Sequence, residues 1–285
     1  MKVFHNFDLK NYNSYHLEAV CSTAYFPESD EDIRELFRDP QAKKILLGGG
    51  YNVILSQPYY DADFVIFSGN YNAISLLEND RILCEAGADT KTLSEFALKK
   101  GLSGLEIYYD IPSSLGGAVV MNAGAGGEDI KGLLERVWYY NPATDAIETA
   151  SVEEIGFVYR NSLFQQNPEL IVCRVLLKLK PGDPAVIRAK MESTRETRWA
   201  KQPRNYPNAG SVFKRPPNRY VGPMLDELGL KGYRVGGAKV SEKHSGFIVN
   251  TGNASGQDIL TLIGDIKHKV SERFGVDLEV EQRII

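Results

Sequence analysis

The sequence predicts an α+β fold built from more than one domain, and three observations lead to that prediction. An apolar stripe of helical period follows a capping box formed by Ser255 and Asp258 and ends at Gly275. Short segments elsewhere, such as 170–179, alternate between polar and apolar residues in the way that is typical of strands. The 285 residues exceed the usual size of a single domain, and the turn-forming run at 181–184 marks the main boundary.

Capping residues and apolar spacing predict the other elements. A helix at 29–37 carries a second capping box, formed by Ser29 and Asp32, and Gly101 is the expected end of a helix at 90–100. The proline-rich polar segment that follows residue 201 is expected to be a loop. Further helices are predicted at 151–155 and 185–201, and strands at 64–67, 81–85, 137–140, 170–179 and 277–284.

Charge is spread unevenly along the chain. The net charge of −4 argues against a protein that binds nucleic acid or other long polyanions. Between residues 188 and 219, however, nine Lys and Arg residues are opposed by two Glu residues. For the helical part of this positively charged segment, the alternative interpretation is a solvated helix face. The loop from Lys201 onward is better suited to a small polyanionic ligand, such as a nucleotide diphosphate.

The cysteines and the lack of long apolar runs bear on the cellular compartment. Cys21, Cys84 and Cys173 are odd in number and scattered, and they lack the spacing of metal ligands. We therefore expect reduced structural thiols and no metal site. The N-terminus has no apolar segment of signal-peptide length, and no run reaches the length of a membrane span. A cytoplasmic protein without membrane contact is expected.

The most informative stretch is 108–129, in which five glycines bracket the apolar run 118–121. Glycine adopts positive φ at little steric cost and lets backbone N–H groups approach a ligand. Successive N–H groups can then form an anion-binding concavity. Pro112 restricts the entry to this stretch, and Ser113 and Ser114 add hydroxyl groups. The alternative interpretation is a glycine-rich surface turn.

A second glycine-rich element spans 45–55, where two strand-like apolar triplets flank Gly48, Gly49 and Gly50. We interpret it as a strand–turn–strand hairpin. It lacks the G-x-G-x-x-G opening of a dinucleotide-binding helix and the Lys-Ser/Thr ending of a P-loop. Phosphate would then be bound by turn amides without a helix dipole. Two such elements, separated by about sixty residues, predict one extended ligand held at two places.

Together the two elements resemble the phosphate loops of the flavin domain of vanillyl-alcohol-oxidase-type proteins. More narrowly, L-G-G-A-V-V-M-N-A-G at 115–124 resembles the UDP-N-acetylenolpyruvoylglucosamine reductase family, in its shorter subtype. The resemblance implies a two-lobed FAD-binding domain, with lobes at 1–70 and 71–183, followed by an α+β substrate-binding domain at 184–285. The last strand, 277–285, is implied to return to the active site.

The same resemblance implies FAD and NADPH as cofactors, together with residues that bind FAD and substrate. Tyr51 departs from the family, which usually has serine there, and Arg215 stands where some members have asparagine. The cofactor-binding candidates are Leu47, Gly48, Gly49, Gly50, Tyr51, Asn52, Ile111, Pro112, Ser113, Ser114, Gly116, Gly117, Ala118, Asn122, Ala123 and Gly124. The substrate-binding candidates are Lys201, Asn208, Lys214 and Arg215.

Three short matches to the family supply the catalytic candidates. F-V-Y-R-N-S-L-F resembles Y-R-x-S-x-F and places Arg160, whose permanent charge suits a carboxylate or a developing enolate. N-A-G-S-V-F-K places Ser211 at the family's proton donor. L-E-V-E-Q-R-I-I, close to the family's L-E-x-E-V-R-I-I, places Glu281 at the catalytic glutamate, although an alternating strand would point Glu279 the same way. The structural alternatives are that Arg160 is an exposed arginine in a turn and that Ser211 only caps a turn.

The implied reaction is a ping-pong reduction, in which NADPH reduces FAD and the flavin then reduces the enolpyruvyl group of a UDP-sugar to give UDP-N-acetylmuramate. Arg160 would stabilise the developing negative charge, Ser211 would supply a proton, and Glu281 would assist the protonation. His244 invites a general-base role, but the family uses no catalytic histidine. The alternatives are a flavin oxidase of a sugar or alcohol on the same fold and a non-catalytic nucleotide-sugar-binding relative. A monomer is expected.

Overall fold

The computed structural model describes residues 1–39 and 41–285. The helices are α1 (Asp30–Phe37), α2 (Thr90–Lys99), α3 (Leu115–Val120), α4 (Val152–Ile155), α5 (Leu163–Gln166), α6 (Pro184–Lys201), α7 (Val221–Glu227) and α8 (Gly256–Phe274). The strands are β1 (Lys2–Asp8), β2 (Val20–Phe26), β3 (Lys44–Leu47), β4 (Val53–Ile54), β5 (Tyr59–Ile66), β6 (Ile74–Leu77), β7 (Arg81–Glu85), β8 (Leu102–Ser103), β9 (Gly124–Ala125), β10 (Glu128–Asp129), β11 (Leu134–Asn141), β12 (Ala146–Ser151), β13 (Ile171–Lys178), β14 (Lys180–Pro181), β15 (Arg234–Val235), β16 (Ala238–Val240), β17 (Ile248–Asn250) and β18 (Arg283–Ile284). This mixture confirms the α+β class.

The chain divides into two units, which it visits in turn. Unit 1 consists of residues 1–4, 23–49 and 62–197, and unit 2 of residues 5–22, 50–61 and 198–285. One of the passages between the units falls inside the glycine triplet, between Gly49 and Gly50. The division into three domains at residues 1–70, 71–183 and 184–285 stays a prediction.

Unit 1 contains a five-stranded antiparallel sheet with the strand order β12-β11-β13-β7-β6. Its central strand β13 buries Cys173, Val175 and Leu177 on alternate positions, as a strand with one face in the core must. Helix α2 buries Leu93 and Ala97 in the same hydrophobic core. The predicted strands at 81–85, 137–140 and 170–179 are therefore confirmed, and the pattern located them because one face of each is apolar.

The helix ends follow their capping residues, with one difference. Ser255 and Asp258 form the predicted capping box at the start of α8, and Gly275 ends that helix with a φ of 64°. The Ser29 hydroxyl caps α1 by accepting from the backbone N–H of Asp32. The Asp32 carboxylate, however, accepts from the backbone N–H of Glu28 at 2.8 Å, so the reciprocal half of the predicted box lies one residue earlier.

The strand–turn–strand hairpin predicted at 45–55 is wrong. Strand β3 pairs in parallel with β5, whereas β4 pairs in parallel with β18. Between them Gly50 adopts a φ of +70°, and its carbonyl accepts from the backbone N–H of Ser14 at 3.0 Å. A Cβ on Gly50 would come within 1.9 Å of the Tyr12 carbonyl oxygen. The chain therefore packs on residues 12–14 after Gly50 and does not fold back on β3.

Unit 2 contains the antiparallel sheet β15-β16-β17 and helix α8. The apolar stripe of α8 is buried, and its members are Ile259, Leu262, Ile263, Ile266 and Val270. The strand predicted at 277–284 is shorter in the structure, where it consists of β18 and a single bridge between Val280 and Phe213. The segment pairs first with residues 212–214 and then with residues 52–56, and not with one continuous neighbour strand, which explains its interruption.

Two further expectations concern the cysteines and the membrane. Cys21, Cys84 and Cys173 are all described and all buried, and they form no disulfide with one another. Burial raises the pKa of the Cys84 thiol to about 12.

Within residues 1–39 and 41–285, none of the helices combines the length and the apolar character needed to cross a membrane. Over those same residues, no group of three or more His, Cys, Asp or Glu side chains is arranged to hold a metal ion.

Candidate active site

The glycine-rich element at 45–55 and the glycine stretch at 108–129 meet within unit 1. A Cβ built on Gly48 would lie 2.5 Å from the Ser114 hydroxyl oxygen. That hydroxyl caps α3 by accepting from the backbone N–H of Gly117 at 3.3 Å. Glycine at position 48 therefore allows a close approach that a side chain would prevent. The two elements that the sequence assigns to one ligand are neighbours in this unit.

Several backbone amides at the start of α3 are engaged by the protein itself. The N–H groups of Leu115 and Gly116 donate to the carbonyl oxygens of Ala88 and Ala86, both at 2.8 Å. These bonds attach the glycine stretch to the residues that follow β7. A Cβ on Gly116 would lie 2.9 Å from the Ala86 Cβ, so glycine here serves the packing of the loop. The amides at the start of α3 hold the loop in place in this structure.

Arg160 lies at the tip of a tight turn in unit 1, with a φ of +53°. Val158 and Asn161 pair across the turn through two backbone hydrogen bonds of 3.2 Å. A non-glycine residue at positive φ is strained, and such residues cluster at functional sites. The guanidinium donates to the carbonyl oxygens of Asn122 at 3.3 Å and Gly124 at 2.9 Å. The structure thus brings Arg160 to the end of the central glycine stretch.

Asn122 connects that glycine stretch with the turn that carries Arg160. It is 4% exposed, and its φ is +44°. Its amide nitrogen donates to the Val158 carbonyl at 3.2 Å and to the Asp129 carboxylate at 3.0 Å, while its amide oxygen accepts from the backbone of Lys131. The sequence predicts Asn122 as a cofactor contact. In the structure its side chain makes these hydrogen bonds within unit 1.

The Tyr108 side chain is hydrogen-bonded to the same loop. Its hydroxyl donates to the Ala123 carbonyl at 2.8 Å, between the two carbonyls that accept from Arg160. Burial raises the pKa of the Tyr108 phenol well above its ordinary value, so the hydroxyl keeps its proton and remains a donor. Three consecutive carbonyls, those of residues 122–124, therefore accept hydrogen bonds from side chains of unit 1.

Ser211 and Glu281 belong to neighbouring segments of unit 2. The backbone N–H of Glu281 donates to the Val212 carbonyl at 2.8 Å, and Phe213 bridges Val280. Ser211 itself is exposed and bridges Phe247 on its other side. The Glu281 carbonyl accepts from the amide of Asn52 at 3.2 Å. Hydrogen bonds thus connect Glu281 with the residue that follows Ser211 and with the side chain of Asn52, a residue of the glycine-rich element at 45–55.

The structure separates the two glutamates that the sequence pattern left open. The Glu279 carboxylate pairs with the Lys214 ammonium at 2.5 Å, and the Glu279 side chain is 69% exposed. Glu281 is half-buried and lies beside the residue that follows Ser211. Glu279 therefore has an ordinary surface role, which also engages Lys214, a substrate-binding candidate. This assignment favours Glu281 as the functional carboxylate.

Of the other substrate-binding candidates, Asn208 and Arg215 contact other residues of unit 2. The Asn208 amide donates to the carbonyls of Pro203 and Tyr206 and accepts from the backbone of Gly210 at 3.1 Å, which shapes the turn before Ser211. The Arg215 guanidinium stacks over the Tyr220 ring at 5.4 Å. Lys201 is the exposed last residue of α6.

His244 contacts the backbone and a ring of unit 2. Its Nδ1 accepts from the backbone N–H of Gly246 at 3.1 Å, and its ring packs edge-on against Phe247 at 4.8 Å. Burial lowers the pKa of His244, so the ring is neutral at physiological pH. The Gly246 carbonyl in turn accepts from the backbone of Val212 at 3.0 Å, so His244 shapes the turn beside Ser211.

Two buried residues near Ser211 were missed by sequence reasoning. Gln282 and Tyr15 are 3% and 0% exposed and hydrogen-bond to each other at 2.9 Å. Tyr15 carried no signal because it lies 267 positions away in the sequence. Gln282 could have been noticed, since the family ending has valine at that position and a buried glutamine requires partners.

The residues of unit 1 fit a cofactor bound at two glycine turns. Glycine at position 48 has no side chain, which leaves its backbone uncovered beside the Ser114 hydroxyl. The Ser114 hydroxyl is a group able to donate to a phosphate oxygen, whereas the Ser113 hydroxyl donates to the Ser114 carbonyl at 2.8 Å. The donor set of this unit therefore suits the diphosphate of FAD, the cofactor that the resemblance implies.

Comparison with known proteins agrees with this description of the two units. A family model described as "FAD binding domain" matches residues 22–139, and a model described as "UDP-N-acetylenolpyruvoylglucosamine reductase, C-terminal domain" matches residues 202–285.

Relatives named UDP-N-acetylenolpyruvoylglucosamine reductase match almost the whole chain. The protein from Caldanaerobacter subterraneus subsp. tengcongensis is 40% identical, and the match covers 100% of this chain and 94% of the relative. The protein from Francisella tularensis subsp. tularensis is 36% identical, with 97% and 98% covered. The crystal structure of the Thermus caldophilus reductase superposes with a TM-score of 0.83 at 32% identity, and covers 99% of this chain and 98% of its own. The chain therefore belongs to the UDP-N-acetylenolpyruvoylglucosamine reductase family.

Proposed function

We propose that this chain reduces the enolpyruvyl group of UDP-N-acetylglucosamine enolpyruvate to give UDP-N-acetylmuramate, a precursor of peptidoglycan, with FAD and NADPH as cofactors. The observation that carries the proposal is the match to reductases over nearly the full length of both chains. The FAD-binding model over residues 22–139 supports the cofactor. Bound FAD supplies the reducing equivalents, and NADPH replenishes them.

Arg160 is proposed to stabilise the negative charge that develops next to the substrate carboxylate. A guanidinium is planar and permanently charged, and it pairs with a carboxylate through two parallel hydrogen bonds. Its bonds to the carbonyls of Asn122 and Gly124 hold it in a defined orientation before substrate arrives. Preorganised charge of this kind is usually the largest catalytic contribution, because nothing has to rearrange during the reaction.

Ser211 is proposed to deliver the proton that completes the reduction of the carbon–carbon double bond. A serine hydroxyl is a weak acid, so a neighbouring group must stabilise the charge that it leaves behind or return its proton. Glu281 is the proposed partner, since its backbone N–H is bonded to the Val212 carbonyl, one residue from Ser211. The substrate-binding roles of Lys201, Asn208, Lys214 and Arg215 remain proposals drawn from the resemblance.

A visible absorption spectrum of the purified protein tests the cofactor and the substrate together. We expect flavin bands that bleach on anaerobic addition of NADPH and return when UDP-N-acetylglucosamine enolpyruvate is added. A colourless protein would favour a non-catalytic relative. Rapid return of the bands in air without that substrate would favour an oxidase.

The compartment and the assembly state are further proposals. Three buried thiols without a disulfide fit a reducing compartment, so we propose a cytoplasmic enzyme. We propose that it acts as a monomer, which light scattering during gel filtration measures directly.

A further inference from the structure

The buried pair Tyr15 and Gln282 has a defined orientation in unit 2. The Tyr15 hydroxyl donates to Gln282 Oε1 at 2.9 Å. A side-chain amide has one acceptor oxygen and one donor nitrogen, so this bond places the nitrogen on the opposite side. Burial raises the pKa of the Tyr15 phenol far above its ordinary value, so the tyrosine keeps the proton that it donates.

The Gln282 nitrogen faces the loop that leads into Ser211. Nε2 donates to the Ala209 carbonyl at 2.9 Å, and the carbonyls of Gly210 and Ser211 lie at 3.3 and 3.4 Å. Three consecutive carbonyls that point to one place repel each other unless a donor lies between them. Gly210 has a φ of +81°, the backbone conformation that lets the loop turn its carbonyls in this way.

The start of the same loop is held by Asn250, which also contacts Tyr15. Asn250 donates through its side chain to the Tyr15 carbonyl at 2.8 Å and through its backbone to the Pro207 carbonyl at 2.9 Å. The loop before Ser211 is therefore tied at its start by Asn250 and at its end by Gln282. Removal of the Gln282 amide would leave the Ala209 carbonyl without this buried donor, which costs more than the loss of a single exposed hydrogen bond.

We propose that Gln282, oriented by Tyr15, is a positioning residue that sets the backbone of the loop carrying Ser211. The family ending that this segment resembles, L-E-x-E-V-R-I-I, has valine at this position, and a valine side chain has no donor. The inference rests on the proposed function, because Ser211 matters for the reaction only as its proton donor.

The experiment compares Gln282→Leu and Tyr15→Phe with the native holoenzyme. Hydrogen–deuterium exchange is measured on peptides that cover residues 207–213 in the resting protein. The lost donor should speed exchange there by about tenfold, as expected for one net hydrogen bond. Gln257→Leu, at an exposed glutamine of α8, is the matched control and should leave exchange in that segment unchanged.

Stopped-flow kinetics of the same variants supply the second readout. The displaced serine should slow flavin reoxidation by the enolpyruvyl substrate by about tenfold or more and increase its solvent deuterium isotope effect. Flavin reduction by NADPH should stay within about twofold of the native rate. Tyr15→Phe is the milder variant, since it leaves the Gln282 nitrogen in place, and it keeps the test usable if Gln282→Leu folds poorly.

Two outcomes would overturn the positioning role. One is unchanged exchange at 207–213 together with unchanged reoxidation in both variants. The other is an equal loss in both half-reactions, which would indicate general damage. Ser211→Ala distinguishes this failure from that of the proposed function. If Ser211→Ala reoxidises normally, then Ser211 is not the proton donor. If it is impaired while Gln282→Leu is not, only the role of Gln282 is lost.

Discussion

At the residue scale, the proposed chemistry depends on the hydroxyl of Ser211, the proposed proton donor. The residue is exposed, and the next residue, Val212, is held between two segments by bonds to Gly246 and Glu281. A hydroxyl at this place is available to substrate while its backbone is fixed. Fixed geometry matters because proton transfer falls off steeply when the donor is misplaced.

We expect Ser211→Ala to reduce its flavin with NADPH at a near-normal rate and to fail in reoxidation by the enolpyruvyl substrate, with a loss of at least about a hundredfold. The physical reason is that the proton is needed only when the carbon–carbon double bond is reduced. Anaerobic stopped-flow absorbance follows each half-reaction separately. An equal loss in both would show that Ser211 is not the proton donor.

The two glutamates of the C-terminal segment should differ in effect. Glu281→Gln is expected to slow the second half-reaction by about tenfold to a thousandfold, since it removes the carboxylate beside the serine segment. Glu279→Gln removes only the exposed pair with Lys214, and exposed pairs contribute about 1 kcal/mol or less. Steady-state kinetics and thermal unfolding of both variants check the comparison. A larger catalytic loss in Glu279→Gln would reverse the assignment.

At the scale of elements, Gly48 approaches the first turn of α3 closely within unit 1. The Ser114 hydroxyl both caps α3 and occupies the place next to the Gly48 Cα. The short helix has no other side-chain cap at this end. A change at Gly48 should therefore be felt at Ser114, although the two lie in different elements.

Gly48→Ala should displace the Ser114 hydroxyl, remove the cap of α3 and lower stability by about 1 kcal/mol. FAD content after purification should fall as well, because both loops shift. Thermal unfolding and the ratio of flavin to protein absorbance measure these effects. Gly132→Ala, where a Cβ would meet no atom within 4 Å, is the control.

A double-mutant cycle identifies the cause of this effect. In Ser114→Ala the clashing oxygen is absent, so adding Gly48→Ala should cost little more. Additive losses in the double variant would mean that Gly48 acts through another contact.

At the scale of the whole molecule, two buried cysteine thiols contribute to the dependence of stability on alkaline pH. Burial raises the pKa of Cys84 and of Cys173 to about 12. A thiol whose folded pKa lies above its unfolded value binds its proton more tightly in the folded protein. Its contribution is complete below the unfolded pKa and is lost as the pH rises towards the folded pKa.

We expect the free energy of unfolding to fall between pH 9 and 10 by about 1 kcal/mol for each of the two thiols. Urea unfolding at pH 8, 9 and 10 measures this slope. Cys84→Ala should lower stability at every pH, because it leaves a small cavity, but it should reduce the slope by about half. A slope that is unchanged in Cys84→Ala would show that other groups control the alkaline transition.

The sequence by itself determined the elements whose signals are local. The capping residues and apolar stripe located α8 to within one residue, because a helix closes its hydrogen bonds between residues four apart. The family motifs pointed to the glycine stretches and to Arg160, Ser211 and Glu281, and the reductase relatives bear out the family. Whether those three side chains act together stays a prediction for the proposed kinetics.

Only the tertiary structure decided the features that join residues distant in the chain. It paired β3 with β5 and β4 with β18, where the sequence indicated one hairpin. It showed that Glu279 forms an ion pair with Lys214 and that Gln282 hydrogen-bonds to Tyr15, 267 positions away in the sequence. Strand pairing and buried hydrogen bonds depend on which surfaces pack together, and local propensity carries no information about that choice.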